Sequence, residues 1–120
     1  MEPDLASTTF TLDGYRIVHT VGIVRGITVR SRSIVGAFGA KLQVVFGGHI
    51  SILTNLCERA RQEAFDIMLA HAQRIGANGV VGVRYDATEI MSGVTEVICY
   101  GTAVVVESEY PADADRQLSA

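Results

Sequence analysis

Tryptophan is absent from this 120-residue chain, and cysteine occurs only twice, as Cys57 and Cys99. Two cysteines are too few for a disulfide framework, and their separation matches no zinc-binding motif. Charge is sparse: 19% of residues are Asp, Glu, Lys or Arg, below the typical quarter, and the formal net charge is −3. A general nucleic-acid binder relies on Lys and Arg to neutralise phosphates, so that class is excluded. Long apolar runs are missing too. Nothing approaches the roughly 18 residues needed to span a bilayer, so no membrane role is expected. The opening Met1-Glu2-Pro3-Asp4 is polar and acidic, unlike a signal peptide. Together these absences predict a reduced, cytoplasmic protein.

What the chain does have is apolar residues, at 48%. Its length suits one domain. A small domain rich in Val, Ile and Ala and poor in charge tends to hide part of its surface against another subunit. Residues 1–8 and 108–120 read as loose, polar ends around a single domain over 9–107.

The sharpest local signal is a helix from about Ser51 to Ile75. Leu53, Leu56, Cys57, Ala60, Ala64, Ile67, Met68, Ala72 and Ile75 recur in steps of three and four and predict one inward stripe. Glu58, Arg59, Arg61, Glu63 and Asp66 fall on the other side, with Arg59 and Glu63 spaced to pair weakly. Gly76 and Asn78-Gly79 provide a stop. Before the helix, Asp13-Gly14 signals a turn between Phe10-Thr11-Leu12 and a strand from Tyr15 to Val21. A second extended piece over Gly26–Arg30 follows Gly22. Residues 31–50 are punctuated by glycine, and a loop or short helix over Val35–Val45 is expected there.

After the helix, Val80–Ala87 alternates as a strand, Met91-Ser92-Gly93 makes a turn, and Val94–Glu107 is apolar on both faces. The order predicts an α+β fold, a β-α-β-β antiparallel sheet with one long helix across it. A strand buried on both faces needs two covers. One helix supplies one, and a neighbouring subunit is expected to supply the other.

Several of these segments carry a family pattern. Val24-Arg25-Gly26, Val29-Arg30-Ser31, Gly47-Gly48, Arg61-Gln62-Glu63-Ala64, Gly76-Ala77-Asn78-Gly79 and Glu96-Val97-Ile98-Cys99-Tyr100-Gly101-Thr102-Ala103 together resemble the YbjQ family. That family consists of small bacterial and archaeal proteins labelled heavy-metal-binding. The resemblance covers residues 8–107. It implies a dodecin-like fold assembled as a ring of identical subunits, usually five, and implies little about activity.

Candidate sites are few. Cys99 offers a soft thiolate for copper(I), zinc or cadmium, with Glu96 as a companion ligand. One cysteine is not a site, so copies around a ring, or a neighbour's His, would have to complete it. The plainer reading of Cys99 is a small buried hydrophobe. Cys57 falls within the helix stripe and reads as core. His49, after Gly47-Gly48 at a helix start, suggests an anion site formed with the Gly48 amide, against the plainer reading of a glycine turn. His71 reads as a packing or capping residue. Arg25, Arg30 and Arg32 would line a basic pore or patch once copies surround an axis and otherwise read as a solvated edge, while Asp86, Glu89 and Glu96 suggest salt bridges to them between subunits, or a site for a hard cation. No nucleophile–base pair or paired carboxylates stand out, so the expectation is a non-enzymatic, self-associating binding protein, cofactor unspecified beyond a soft or borderline divalent metal. The alternative is a purely structural ring that binds nothing small.

Overall fold

In a computed structural model, residues 5–31 and 49–110 are described, and side chains from 55 onward within the helix. The expected loop or short helix over Val35–Val45, Gly48, Arg32 and the tail from Pro111 lie outside the described residues. The elements are β1 (Tyr15–Ser31), α1 (His49–Arg74), β2 (Gly79–Met91) and β3 (Val94–Ser108). They form a three-stranded antiparallel sheet in the order β1-β3-β2, with the helix packed across it. β3 is the central strand, which explains why its sequence is apolar on both faces.

The expected break at Gly22 does not occur, and β1 runs unbroken through Gly22 and Gly26. Glycine in a strand signals a bend only when nothing else requires it, and at Gly26 the helix does. A Cβ built there would lie 2.0 Å from the Ala64 carbonyl oxygen and 2.5 Å from the Met68 amide nitrogen. Glycine is therefore the one residue that lets the strand and helix backbones meet.

By contacts the chain falls into two compact units. The first comprises residues 5–24, 69–83 and 101–110. Its helix end is a complete Schellman motif: the Ala77 amide donates to the Ala72 carbonyl (3.0 Å) and the Gly76 amide to the Gln73 carbonyl (3.1 Å). Gly76 holds φ at 91°, in the left-handed region that motif requires. Asn78 then acts as a rung of the sheet. Its side-chain amide donates to the Val106 carbonyl (3.0 Å) and its side-chain oxygen accepts from the Val106 amide (2.8 Å).

The core of this unit contains Leu12, Val81, Val104 and Val106, with Leu5 and Ile17 packed against them. Leu5 and Leu12 come from the stretch before β1, which is tied to β2 by a parallel bridge from Ala6 to Val80. Hydrogen bonds run from the Ser7 amide to Val80 (3.0 Å), the Val83 amide to Ser7 (3.0 Å) and the Gly82 amide to Thr9 (2.7 Å). The second cover that the sequence assigns to a neighbouring subunit is thus supplied, over Val81, Val104 and Val106, by the chain's own first residues. The expected turn at Asp13-Gly14 is present, with the Tyr15 amide donating to Leu12 (3.0 Å) and Gly14 at φ 79°.

The second unit comprises, of the described residues, 25–31, 49–68 and 84–100. Here Ala60, Ala64 and Met68 are buried, spaced four apart on the inner face of α1. The Thr28 hydroxyl donates to the Ala60 carbonyl across 3.4 Å. Cys57 is exposed, contrary to the expectation of a core residue. Its azimuth on the helix matches that of Ala64 and Met68, but among the described residues nothing covers it. Nor does Glu63 pair with Arg59: it forms an ion pair with Arg30 of β1.

Two alanine substitutions separate backbone contact from backbone conformation. Gly26→Ala should cost about 3 kcal/mol or abolish folding, because the helix backbone must move. Gly76→Ala meets no neighbouring atom within 4 Å and should cost only about 1–2 kcal/mol, the strain of left-handed backbone. Urea denaturation of both variants measures the difference.

Candidate functional site

The second unit brings together one group of side chains with distinctive chemistry. Cys99 lies on the face of β3 that meets the helix, and Met68 projects from α1 towards it. Both are fully buried. The Cys99 thiol donates to the Met68 thioether sulfur at 3.6 Å. Tyr85 of β2 neighbours the same Cys99 sulfur, and each group perturbs the ionisation of the other. Burial raises the Cys99 pKa above its ordinary value, and the Tyr85 interaction offsets this only in part. The sulfur is therefore a protonated thiol at neutral pH. Tyr85 is raised to about 12, chiefly by desolvation and then by the neighbouring Cys99, with Glu58 adding to the shift and Arg61 opposing it.

Glu96, the companion ligand suggested by the sequence, is on the opposite face of β3. Residues three apart in a strand point to opposite sides, so within one chain Cys99 and Glu96 do not meet. His49 is the first residue of α1, and its side chain and Gly48 lie outside the described residues. Arg25 and Arg30 are on β1, and Arg30 is engaged by Glu63 of its own chain. Among the described residues no group of three or more His, Cys, Asp or Glu side chains could hold a metal ion. A tetrahedral zinc site, which needs four donors, is therefore not built from those residues of one chain. Met68 is the neighbour of Cys99 that the sequence did not reveal. Its sulfur read as helix stripe, and nothing in one dimension links it to Cys99, 31 positions away.

In the first unit, Ser7, Thr9, Thr11, Asp13 and Tyr15 line a shallow depression. The Ser7 and Thr9 hydroxyls are used internally: Ser7 Oγ and Thr9 Oγ1 are 2.6 Å apart, and Thr9 Oγ1 donates to the Thr11 carbonyl at 2.7 Å. They are satisfied by local structure rather than directed at a ligand. No helix among the described residues is long and apolar enough to cross a membrane.

A family model described as "Putative heavy-metal-binding" matches residues 5–107. The chain belongs to the YbjQ family. A UPF0145 protein of Burkholderia mallei strain SAVP1 is 62% identical over 103 residues, covering 86% of this chain and 93% of the relative. A UPF0145 protein of Burkholderia pseudomallei strain 668 matches to the same extent. Among solved structures, a protein of unknown function from Pediococcus pentosaceus, assigned to the DUF74 family, is similar over 85% of this chain and 96% of its own. Its TM-score is 0.54 at 17% identity, a likeness of fold alone. The YbjQ match spans nearly all of both units, from Leu5 to Glu107.

Two measurements test this description of the site. Alkylation with iodoacetamide at pH 8 should label Cys57 rapidly and Cys99 only after unfolding, as read by peptide mass spectrometry; equal labelling would contradict the buried thiol. Tyr85 releases its proton at higher pH in the folded chain than in the unfolded one, so the folded state binds more protons between pH 10 and about 12. Its contribution to stability is complete below pH 10 and declines as pH rises through that window. Denaturation curves should show this decline in the native chain and a smaller one in Tyr85→Phe.

Proposed function

We propose that this chain is a non-enzymatic, cytoplasmic protein that self-associates and binds a heavy-metal ion or another small ligand. The observation that carries self-association is the sheet surface of the second unit. Gly26 and Thr28 touch the helix, so the alternate residues Ile27 and Val29 point away from it and are 41% and 52% exposed. Tyr100 follows Cys99 and faces the same way, and Ile90 of β2 is 51% exposed. This is an apolar face, and among the described residues β1 and the part of β2 beyond Val83 are the edges of the sheet on either side of it. Open edges and uncovered apolar faces favour pairing with another copy. The resemblance to a ring-forming family supports a closed assembly, with five subunits the expected number.

Metal binding is supported by the family description and by Cys99, the buried soft donor. A second reading has its own observation. The Cys99 thiol is protonated and already bonded to Met68, as a core residue would be, and a ring that binds nothing small accounts for that equally well.

Native mass spectrometry after incubation with zinc, copper(I) and cadmium under reducing conditions distinguishes these readings. A single oligomer with a fixed number of metal ions is the expected result, and a metal-free ring favours the structural reading. Ile27→Glu placed on the open face should convert the oligomer to monomer without unfolding it. A wild-type chain that sediments as a monomer at micromolar concentration would remove the assembly from the proposal.

A further inference from the structure

Within the second unit the two edges of the sheet differ in charge. From Arg25 to Ser31, β1 carries two arginines and no acid. From Arg84 to Met91, β2 carries Asp86 and Glu89 against a single arginine. Tyr85 neighbours Cys99 on the helix side of the sheet, so Asp86, Thr88 and Ile90 alternate to the other face. That is the face on which β1 presents Arg25, Ile27 and Val29, and all six residues are exposed. The two edges share one spacing along it. Arg25 precedes Val29 by four positions on β1, and Asp86 precedes Ile90 by four on β2. The chain's own opening stretch pairs with β2 in parallel at Val80, but its hydrogen bonds reach no further than Val83.

Like edges repel. β1 beside β1 sets arginine against arginine, and β2 beside β2 sets carboxylate against carboxylate. Unlike edges attract, and their direction is fixed by the fold. β1 and β2 are each antiparallel to β3 and therefore parallel to each other. Rotation about an axis along the strands preserves that direction, so β1 of one copy meets β2 of the next in parallel. Such a contact is heterologous and repeats until a ring closes.

We infer that copies of this chain join edge to edge, β1 of one adding to β2 of the next. In this register Arg25 lies beside the partner subunit's Asp86, and Val29 beside the partner subunit's Ile90. The added strand pairs the backbone groups of both edges and buries Ile27, Val29 and Ile90 in one strip. The inference rests on the self-association proposed above and is independent of any metal.

Reversed charges and introduced cysteines test the pairing in the full chain. Arg25→Asp and Asp86→Arg should each weaken association about tenfold or more in sedimentation, and the two together should restore it. In a Cys57→Ser background, which removes the exposed native thiol, Val29→Cys and Ile90→Cys chains are mixed, allowed to exchange subunits and mildly oxidised. The mixture should yield pairs of chains joined through the two introduced cysteines, as read by peptide mass spectrometry. Neither variant alone should do so. Cross-linking of either variant with itself would overturn the inference in favour of a two-fold contact. A wild-type oligomer with no cross-link in the mixture and no response to charge reversal, as when another segment of the chain covers β2, would overturn the edge pairing and leave self-association standing. A wild-type monomer would overturn both.

Discussion

The second unit depends on the close approach of α1 to β1 at Gly26. The Ala64 carbonyl and the Met68 amide occupy the space that a side chain at position 26 would need. Small residues on the helix, Ala60 and Ala64, let its backbone come down to the strand, and the Thr28 hydroxyl meets the Ala60 carbonyl at the same depth. Helix and sheet are held apart by the bulk of the side chains between them, so removing that bulk at one line of contact fixes the height of the whole helix segment. Met68 reaches Cys99 because of that height. A helix raised by one methyl group would carry the two sulfurs out of contact. Glycine and alanine here do chemical work indirectly, by setting the distance between two larger side chains.

Burial then decides the chemistry of those side chains. Cys99 is fully buried, and the charged form of the thiol loses more by desolvation than the Tyr85 interaction returns to it. Exposed charge has much smaller effects. The Arg16–Glu107 pair of the first unit is well aligned at 2.9 Å, but both side chains are largely solvated, and such pairs contribute little. Arg30–Glu63 is half-buried and ties a strand to the helix, which gives it more influence on position than on stability.

How much of this was legible in the sequence follows from which signals are periodic. The helix was readable almost to the residue, because four-residue steps through Ala60, Ala64, Met68 and Ala72 and the Gly76 stop are local patterns. The β2–β3 hairpin was readable for the same reason, from alternation and the Ser92-Gly93 turn. The continuity of β1 was not, because Gly26 looks like a break until the helix it accommodates is in view. The burial of β3 around Val104 and Val106 was read correctly, but the source of the cover there was not: Leu5 and Leu12 are too few and too irregular to announce themselves as a layer. Pairings between distant positions were the least accessible. Glu63 was placed with Arg59 by helical spacing and is held by Arg30 instead, and the Met68–Cys99 contact has no signature at all in a single sequence.

The cover provided by Leu5 and Leu12 also bears on the order in which the first unit can form. During synthesis these residues emerge before Val81, Val104 and Val106, which they protect. Until β3 is complete, the opening segment has no surface to close and β2 has no partner strand on its inner side. The unit is assembled from three separated stretches of chain, a topology of long-range contacts that makes folding slow. Its core therefore cannot close until Val104 and Val106 have been made, and Leu5 and Leu12 wait for the surface they cover.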